Sequence, residues 1–352
     1  MTEQFDNPMG IDGFDFVEYA APDAGLLHDL FPRLGFTAVG KHKSRDITLY
    51  RQGDISFLVN EQPSSFAAEF AQQHGPCACG FAIRVQDASA TQAETVKKGA
   101  TLVAESLGVL AVDTPAIMGI GNAVLYLVDE YETGATLFDR EFDFYPNVER
   151  HPAGFGCTVV DHMTHNVYEG EMDTWAGYYE RLFGFREIRY FDIKGAQTGL
   201  RSRAMTAPDG QVRIPINEAT DDKSQIAEYL REYKGEGIQH VALFTNDIYA
   251  TVAAMHEHGL QFLDTPDTYY EVIDERIPNH GEDVELMRKN SILIDGDHES
   301  ESHLLLQIFT QTNIGPLFFE IIQRKGNEGF GEGNFQALFE SIELDQMRRG
   351  VL

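Results

Sequence analysis

Arg33-Leu34-Gly35-Phe36-Thr37-Ala38-Val39 is one of four stretches of this chain written in the same grammar. The others are Lys97-Lys98-Gly99-Ala100-Thr101-Leu102-Val103, Leu182-Phe183-Gly184-Phe185-Arg186-Glu187-Ile188 and Glu257-His258-Gly259-Leu260-Gln261-Phe262-Leu263. Each closes an amphipathic run on a glycine and then turns apolar. Glycine belongs there because the residue after the last helical turn often takes a left-handed backbone, which only glycine enters without strain. Asp87 and Asn246-Asp247 stand where helix N-caps are expected. Short apolar runs such as Ile47–Tyr50 and Ile55–Val59 read as strands. One helix among strands, repeated four times, predicts an α+β chain of four βαβββ modules, paired into two domains. Glu141-Phe142-Asp143-Phe144-Tyr145-Pro146 and His151-Pro152-Ala153-Gly154 carry two prolines and no period. They set the boundary near residue 150, giving domains 1–150 and 151–352. Beyond the Gly-rich hinge Gly329-Phe330-Gly331-Glu332-Gly333, Phe335, Leu338, Phe339 and Ile342 follow helical spacing, with Asn334 as cap.

Composition narrows the function. Among 352 residues, 27 Lys and Arg face 56 Asp and Glu, a net charge of −29. Such a chain repels phosphate backbones and anionic membrane surfaces. No run approaches the ~20 apolar residues of a membrane helix, and the N-terminus lacks the features of a signal peptide. Cys77, Cys79 and Cys157 offer no second pair for a zinc site and read as buried thiols of a cytoplasmic protein. These features point to a cytoplasmic protein acting on a small molecule.

The repeat breaks symmetry where chemistry is expected. Nineteen residues before Gly35, Gly99 and Gly259 stand Phe16, Gly80 and His240. The helix before Gly184 is longer, and His162 lies twenty-two before it. The second half therefore carries two histidines where the first carries Phe and Gly. His165 competes with His162, but three residues apart on a strand the two face opposite sides. Phe318-Phe319-Glu320-Ile321-Ile322 holds one carboxylate in an apolar strand, where the first half has Tyr126. A buried carboxylate needs a counter-charge, either a metal or an arginine such as Arg324. Two imidazoles and one carboxylate leave three coordination positions open, the arrangement of non-haem Fe(II) oxygenases. His256 and His258 diverge on a predicted helix and read as surface residues.

Several stretches resemble the 4-hydroxyphenylpyruvate dioxygenase family. They are Val160-Asp161-His162-Met163-Thr164-His165-Asn166-Val167, Pro215-Ile216-Asn217-Glu218, Lys223-Ser224-Gln225-Ile226, Gly237-Ile238-Gln239-His240-Val241-Ala242, Leu306-Gln307-Ile308-Phe309-Thr310, Phe319-Glu320-Ile321-Ile322-Gln323-Arg324 and Gly329-Phe330-Gly331-Glu332-Gly333-Asn334-Phe335. The resemblance covers nearly the whole chain and is most specific beyond residue 150. It implies the vicinal oxygen chelate fold of open-barrel domains, with a C-terminal helix that gates the pocket. It also implies oxidation of 4-hydroxyphenylpyruvate by O2 to homogentisate and CO2, through oxidative decarboxylation, ring hydroxylation and side-chain migration in tyrosine catabolism. One Fe(II) per protomer would sit on His162, His240 and Glu320; the substrate brings its own 2-oxo acid, so no separate 2-oxoglutarate is needed. By resemblance Ser202, Asn217, Gln225, Gln239 and Gln307 form a neutral polar ring, with Gln225 the first choice for the phenol. Phe309 and Phe335 stack on the substrate ring, Phe318 and Phe330 line the wall, and Asn334 joins the site at the start of the helix. A homo-oligomer is expected, a tetramer before a dimer. Two other outcomes are a hydroxymandelate synthase acting on the same substrate and a metal-free binding protein of the same fold.

Overall fold

The computed structural model describes residues 5–131, 136–194, 199–296, 303–334 and 336–338. The first half runs β1 (Phe14–Ala20), α1 (Gly25–Arg33), β2 (Thr37–His42), β3 (Ile47–Gln52), β4 (Ile55–Asn60), α2 (Phe66–His74), β5 (Cys77–Arg84), α3 (Ala88–Lys97), β6 (Ala116–Met118), β7 (Val124–Val128), α4 (Leu137–Glu141) and β8 (Phe142–Phe144). The second runs β9 (Cys157–Val167), α5 (Met172–Phe183), β10 (Arg186–Lys194), β11 (Gly199–Thr206), β12 (Arg213–Ala219), α6 (Gln225–Tyr233), β13 (Gly237–Thr245), α7 (Ile248–Glu257), α8 (Asp267–Glu271), α9 (Ile273–Arg276), α10 (Val284–Lys289), β14 (Leu293–Gly296), β15 (Leu304–Phe309) and β16 (Phe318–Lys325).

Each half makes one eight-stranded mixed sheet, ordered β6-β7-β5-β1-β4-β3-β2-β8 and β10-β11-β12-β9-β13-β16-β15-β14. In both, two modules meet along a central antiparallel pair, β1 with β5 and β9 with β13. Asp87 and Asp247 cap α3 and α7 by accepting from the amides of Ala90 and Ala250. Gly35, Gly99, Gly184 and Gly259 all have positive φ, as a helix stop of this kind demands. Two modules depart from the simple repeat. In the second, the strand after α3 shrinks to a single bridge, Leu102 to Ile117. In the fourth, α8, α9 and α10 are inserted between α7 and β14, a stretch whose short helices leave no long period in the sequence.

The two sheets bury their aromatic faces against each other. Phe319 of β16 lies 6.3 Å and 6.0 Å, between ring centroids, from Tyr19 of β1 and Phe57 of β4, all three fully buried. Strand alternation then fixes the opposite face of β16: when Phe319 and Ile321 point into this core, Phe318 and Glu320 point away from it. No helix among the described residues is long and apolar enough to cross a membrane. Cys77, Cys79 and Cys157 are buried and unbridged.

Candidate metal centre

The register of the second sheet assembles the site row by row. Thr164, His240 and Phe318 form one row across β9, β13 and β16. One pleat along, His162, Ala242, Glu320 and Phe309 form the next, across β9, β13, β16 and β15. Ser202, Asn217 and Asn166 make a third across β11, β12 and β9. Ala242, between His162 and Glu320, carries only a methyl group, which leaves space above it for an ion.

His162 Nε2 lies 3.1 Å from Glu320 Oε2, His240 Nε2 lies 3.4 Å from that oxygen, and the two imidazole nitrogens are 3.3 Å apart. All three side chains are buried and form the metal-sized cluster found among the described residues. Glu320 Oε1 is buried without a hydrogen-bond partner. Three lone pairs converging on one point, beside an orphaned carboxylate oxygen, fit a divalent cation with N and O preferences. Burial pushes the Glu320 carboxyl up, but His162 and then His240 outweigh it and hold it below its ordinary value. Burial lowers the His240 imidazole, with a net downward shift. For His162, burial is outweighed by Glu320 and Asp161, and the net shift is upward.

Each candidate ligand histidine follows a residue that the β9–β13 pairing skips. Pairing jumps from Ile238–His165 to His240–Thr164, leaving out Gln239. It jumps again from Ala242–His162 to Leu243–Val160, leaving out Asp161. Such bulges re-aim side chains. Gln239 Oε1 accepts from His240 Nδ1 at 3.0 Å, and Asp161 Oδ1 accepts from His162 Nδ1 at 2.8 Å. Gln239 thus turns its amide to His240 and does not line the cavity. Arg324 pairs with Asp161, not with Glu320. Burial would raise the Asp161 carboxyl, but the Arg324 fork and His162 hold it well below the carboxylate range.

A small cavity opens on the centre, lined by His162, Thr164, Phe191, Leu200, Ser202, Pro215, Asn217, His240, Phe309, Glu320, Phe330 and Glu332. Ser202, Asn217, Phe309 and Phe330 thus all face this cavity. Phe330 meets the His162 ring edge-on at 5.3 Å. Phe318 stacks on His240 at 4.9 Å, so it braces a candidate ligand and does not line the cavity. Gln307, on the same face of β15 as Phe309, is buried with both amide atoms unpartnered, directly under Gly331.

Gln225 is a correction. It is exposed in the first turn of α6 and outside the cavity lining. Ser224 caps that helix and Ile226, Tyr229, Leu230 and Tyr233 take its buried face, so Gln225 projects to solvent. Asn334 is another: the helix already runs at Glu332, so Asn334 lies inside it and does not cap it. Its side chain points away from the cavity, where Oδ1 accepts from the Tyr269 hydroxyl at 2.7 Å. Phe335 lies outside the described residues. Thr164, Phe191, Leu200 and Glu332 were not singled out from the sequence. Thr164 shares the His162 face of β9, two residues on, and that alternation was the available signal. Phe191 and Leu200 come from neighbouring strands whose register only the fold supplies.

His165 faces α5, with Nε2 2.7 Å from Tyr179 Oη. In the first sheet, pairing puts Phe16, Gly80 and Tyr126 at the places of His162, His240 and Glu320. There the Tyr126 ring and the Glu18 carboxylate stand 3.0 and 3.1 Å from where a Cβ on Gly80 would lie, filling the room an imidazole needs.

Fold and site define the class: a two-sheet protein of the vicinal oxygen chelate, or glyoxalase, superfamily with a candidate His-His-Glu metal centre. Residues 5–143 match the family described as hydroxyphenylpyruvate dioxygenase, HPPD, N-terminal, and residues 159–272 the glyoxalase/bleomycin resistance protein/dioxygenase superfamily. The chain is 54% identical to the 4-hydroxyphenylpyruvate dioxygenase of Pseudomonas aeruginosa, over 98% of this chain and 97% of that one. It belongs to the 4-hydroxyphenylpyruvate dioxygenase family. It is also 57% identical to a protein named hemolysin VllY of Vibrio vulnificus, over 98% of both chains. Among solved structures, a xylose isomerase-like TIM barrel/4-hydroxyphenylpyruvate dioxygenase fusion protein superposes with TM-score 0.81 at 30% identity, covering 96% of this chain and 54% of that one. A 4-hydroxymandelate synthase variant from Streptomyces coelicolor also gives 0.81, at 23% identity, over 96% of this chain and 100% of that one; this likeness shows the fold alone.

Proposed function

We propose that this chain converts 4-hydroxyphenylpyruvate and O2 into homogentisate and CO2, with one Fe(II) per protomer on His162, His240 and Glu320. The observation that carries this is the convergence of the three ligand atoms at the floor of a cavity walled by Ser202, Asn217, Phe309 and Phe330. Iron bound there would supply the redox chemistry with O2. The reaction balances without a further reductant: one oxygen atom enters the new carboxylate and the other the ring, while the old carboxylate leaves as CO2.

The protein's share is placement. Asp161 and Gln239 keep the proton on Nδ1 of each imidazole, which leaves Nε2 free to ligate. Ser202 and Asn217 offer neutral polar groups, which can donate or accept without imposing charge on a phenol. Gln307, buried under Gly331 on the Phe309 face of β15, supplies a second amide. Phe309 and Phe330 flank the ring position and keep water from the oxidising centre. The inserted helices help shape this wall. Tyr269 of α8 holds Asn334, Arg276 of α9 donates to the Gly333 carbonyl at 3.3 Å, and Asp295 of β14 accepts from its amide at 3.0 Å. In this reading residues 1–150 are a metal-free partner domain, 151–352 the catalytic one, and the terminal helix with Phe335 the gate. The assembly is a cytoplasmic homo-oligomer, with a tetramer as the first expectation, read by light scattering.

Incubating iron-loaded protein with 4-hydroxyphenylpyruvate and O2, then separating products, tests the proposal. Homogentisate is expected. A majority of hydroxymandelate would reassign the product while sparing the centre. Neither product, with iron bound, would mean the substrate is wrong.

A further inference from the structure

Asp161 and Arg324 form a unit whose contacts reach both the candidate metal centre and the start of the terminal helix. Arg324 donates through Nε to Asp161 Oδ2 and through a terminal nitrogen to Oδ1, both at 2.7 Å. This is the two-pronged geometry that fixes a carboxylate in its plane. The guanidinium side chain is 7% exposed and the carboxylate 5%. The oxygen gripped by the terminal nitrogen, Oδ1, is the one that accepts from His162 Nδ1 at 2.8 Å. Arg213 adds a longer contact to Oδ2, 3.4 Å, and is itself paired with Glu328. The remaining terminal nitrogen of Arg324 donates to the carbonyls of Asn327 at 3.0 Å and Gly329 at 2.7 Å. Those carbonyls belong to the turn that delivers Phe330 against the edge of the His162 ring. One arginine therefore grips the partner of His162 from one side and the backbone that seats Phe330 on the other.

We propose that Asp161 and Arg324 are the positioning residues of the metal centre, with Arg324 acting through Asp161 to fix the tautomer and ring angle of His162. The proposal rests on the metal site assigned above. An imidazole held by Nδ1–H to a carboxylate presents Nε2 to the cation and is a stronger ligand than one free to rotate or switch tautomer. At Nδ1, His240 donates to the neutral amide oxygen of Gln239, so of the two imidazoles His162 has the charged, clamped partner at that position. Without Arg324, the Asp161 carboxylate loses the fork that sets its direction.

The test uses the full-length apo-protein and Co(II) alone, titrated against a chromophoric chelator. Wild type should take up one Co(II) per chain. Asp161→Leu keeps the branched shape but removes the acceptor, and should weaken Co(II) binding by about 10–100-fold. Arg324→Met should weaken it by a smaller factor, and the double variant should bind no more weakly than Asp161→Leu, because Arg324 then has nothing to act through. Asp161→Asn keeps an oxygen for Nδ1–H and should recover at least half of the loss on a logarithmic scale. Ring nitrogen shifts of His162 in nitrogen-labelled apo-protein give a readout that general destabilisation would not produce. At a pH high enough to leave the imidazole neutral, they should report the Nδ1-protonated tautomer in wild type and a mixture in Arg324→Met. Unchanged Co(II) affinity in folded Asp161→Leu, unchanged affinity and tautomer in Arg324→Met, or losses that multiply in the double variant would overturn the proposal; should the leucine variant not fold, Arg324→Met decides alone. Failure of wild type to bind Co(II) would instead remove the metal site itself.

Discussion

Replacing Gly331 by alanine asks whether the Gln307 amide keeps its place only because nothing projects above it. Gly331 has φ +75°, and a Cβ there would lie 2.0 Å from Gln307 Oε1 and 2.6 Å from Nε2. The left-handed backbone alone costs a non-glycine residue about 1–2 kcal/mol. Ordinary contact begins at 3.4 Å, so the amide must retreat by about 1.4 Å. Gln307 is 1% exposed, and neither amide atom has a partner that would resist the push. A displacement near 1 Å at a substrate-positioning group can cost roughly a hundredfold in rate. Gly331→Ala should therefore lose about 1–2 kcal/mol in chemical denaturation and about 10–100-fold in kcat/KM for 4-hydroxyphenylpyruvate. Iron content should not change, because Gln307 is not a ligand. Gln307→Ala and the double variant complete the cycle, and the double should be no slower than Gln307→Ala alone. If Gly331→Ala lost stability yet kept kcat/KM within about twofold, the positioning role of Gln307 would be refuted. Rate losses that multiplied in the double variant would refute it equally.

Alanine at His162, His240 or Glu320 should each abolish stoichiometric iron by elemental analysis and turnover with it; full activity in Glu320→Ala would end the assignment. His165 sets a pH dependence of stability. Burial pushes its imidazole down to about 3, against 6.5 as a free side chain. The fold holds it neutral, so its contribution is complete above the unfolded value and is lost as pH falls toward the folded one. From pH 7 to pH 5 wild type should lose about 2 kcal/mol more than His165→Gln in urea unfolding; an equal loss in both would contradict this. Truncation after Gly333 tests the gate: turnover should fall and O2 consumption should uncouple from product, and unchanged values for both would discard it.

The sequence by itself determined the modular plan, because glycine stops and caps act within a few residues of the groups they serve. Asp87, Asp247 and the four glycines do in the fold what their neighbours in the chain already demanded. It also pointed to His162, His240 and Glu320, since corresponding positions of a repeat occupy corresponding places in a sheet. What no local pattern contains is register across strands far apart in the chain. Only the tertiary structure placed Phe191 and Leu200 in the wall, sent Gln225 to solvent, and gave Asn334 to Tyr269 instead of the cavity. The same holds for Gln239 and Asp161. A regular strand would point each away from its neighbouring histidine. Only a skipped pairing, decided where two strands meet, turns both back onto the imidazoles that hold the centre.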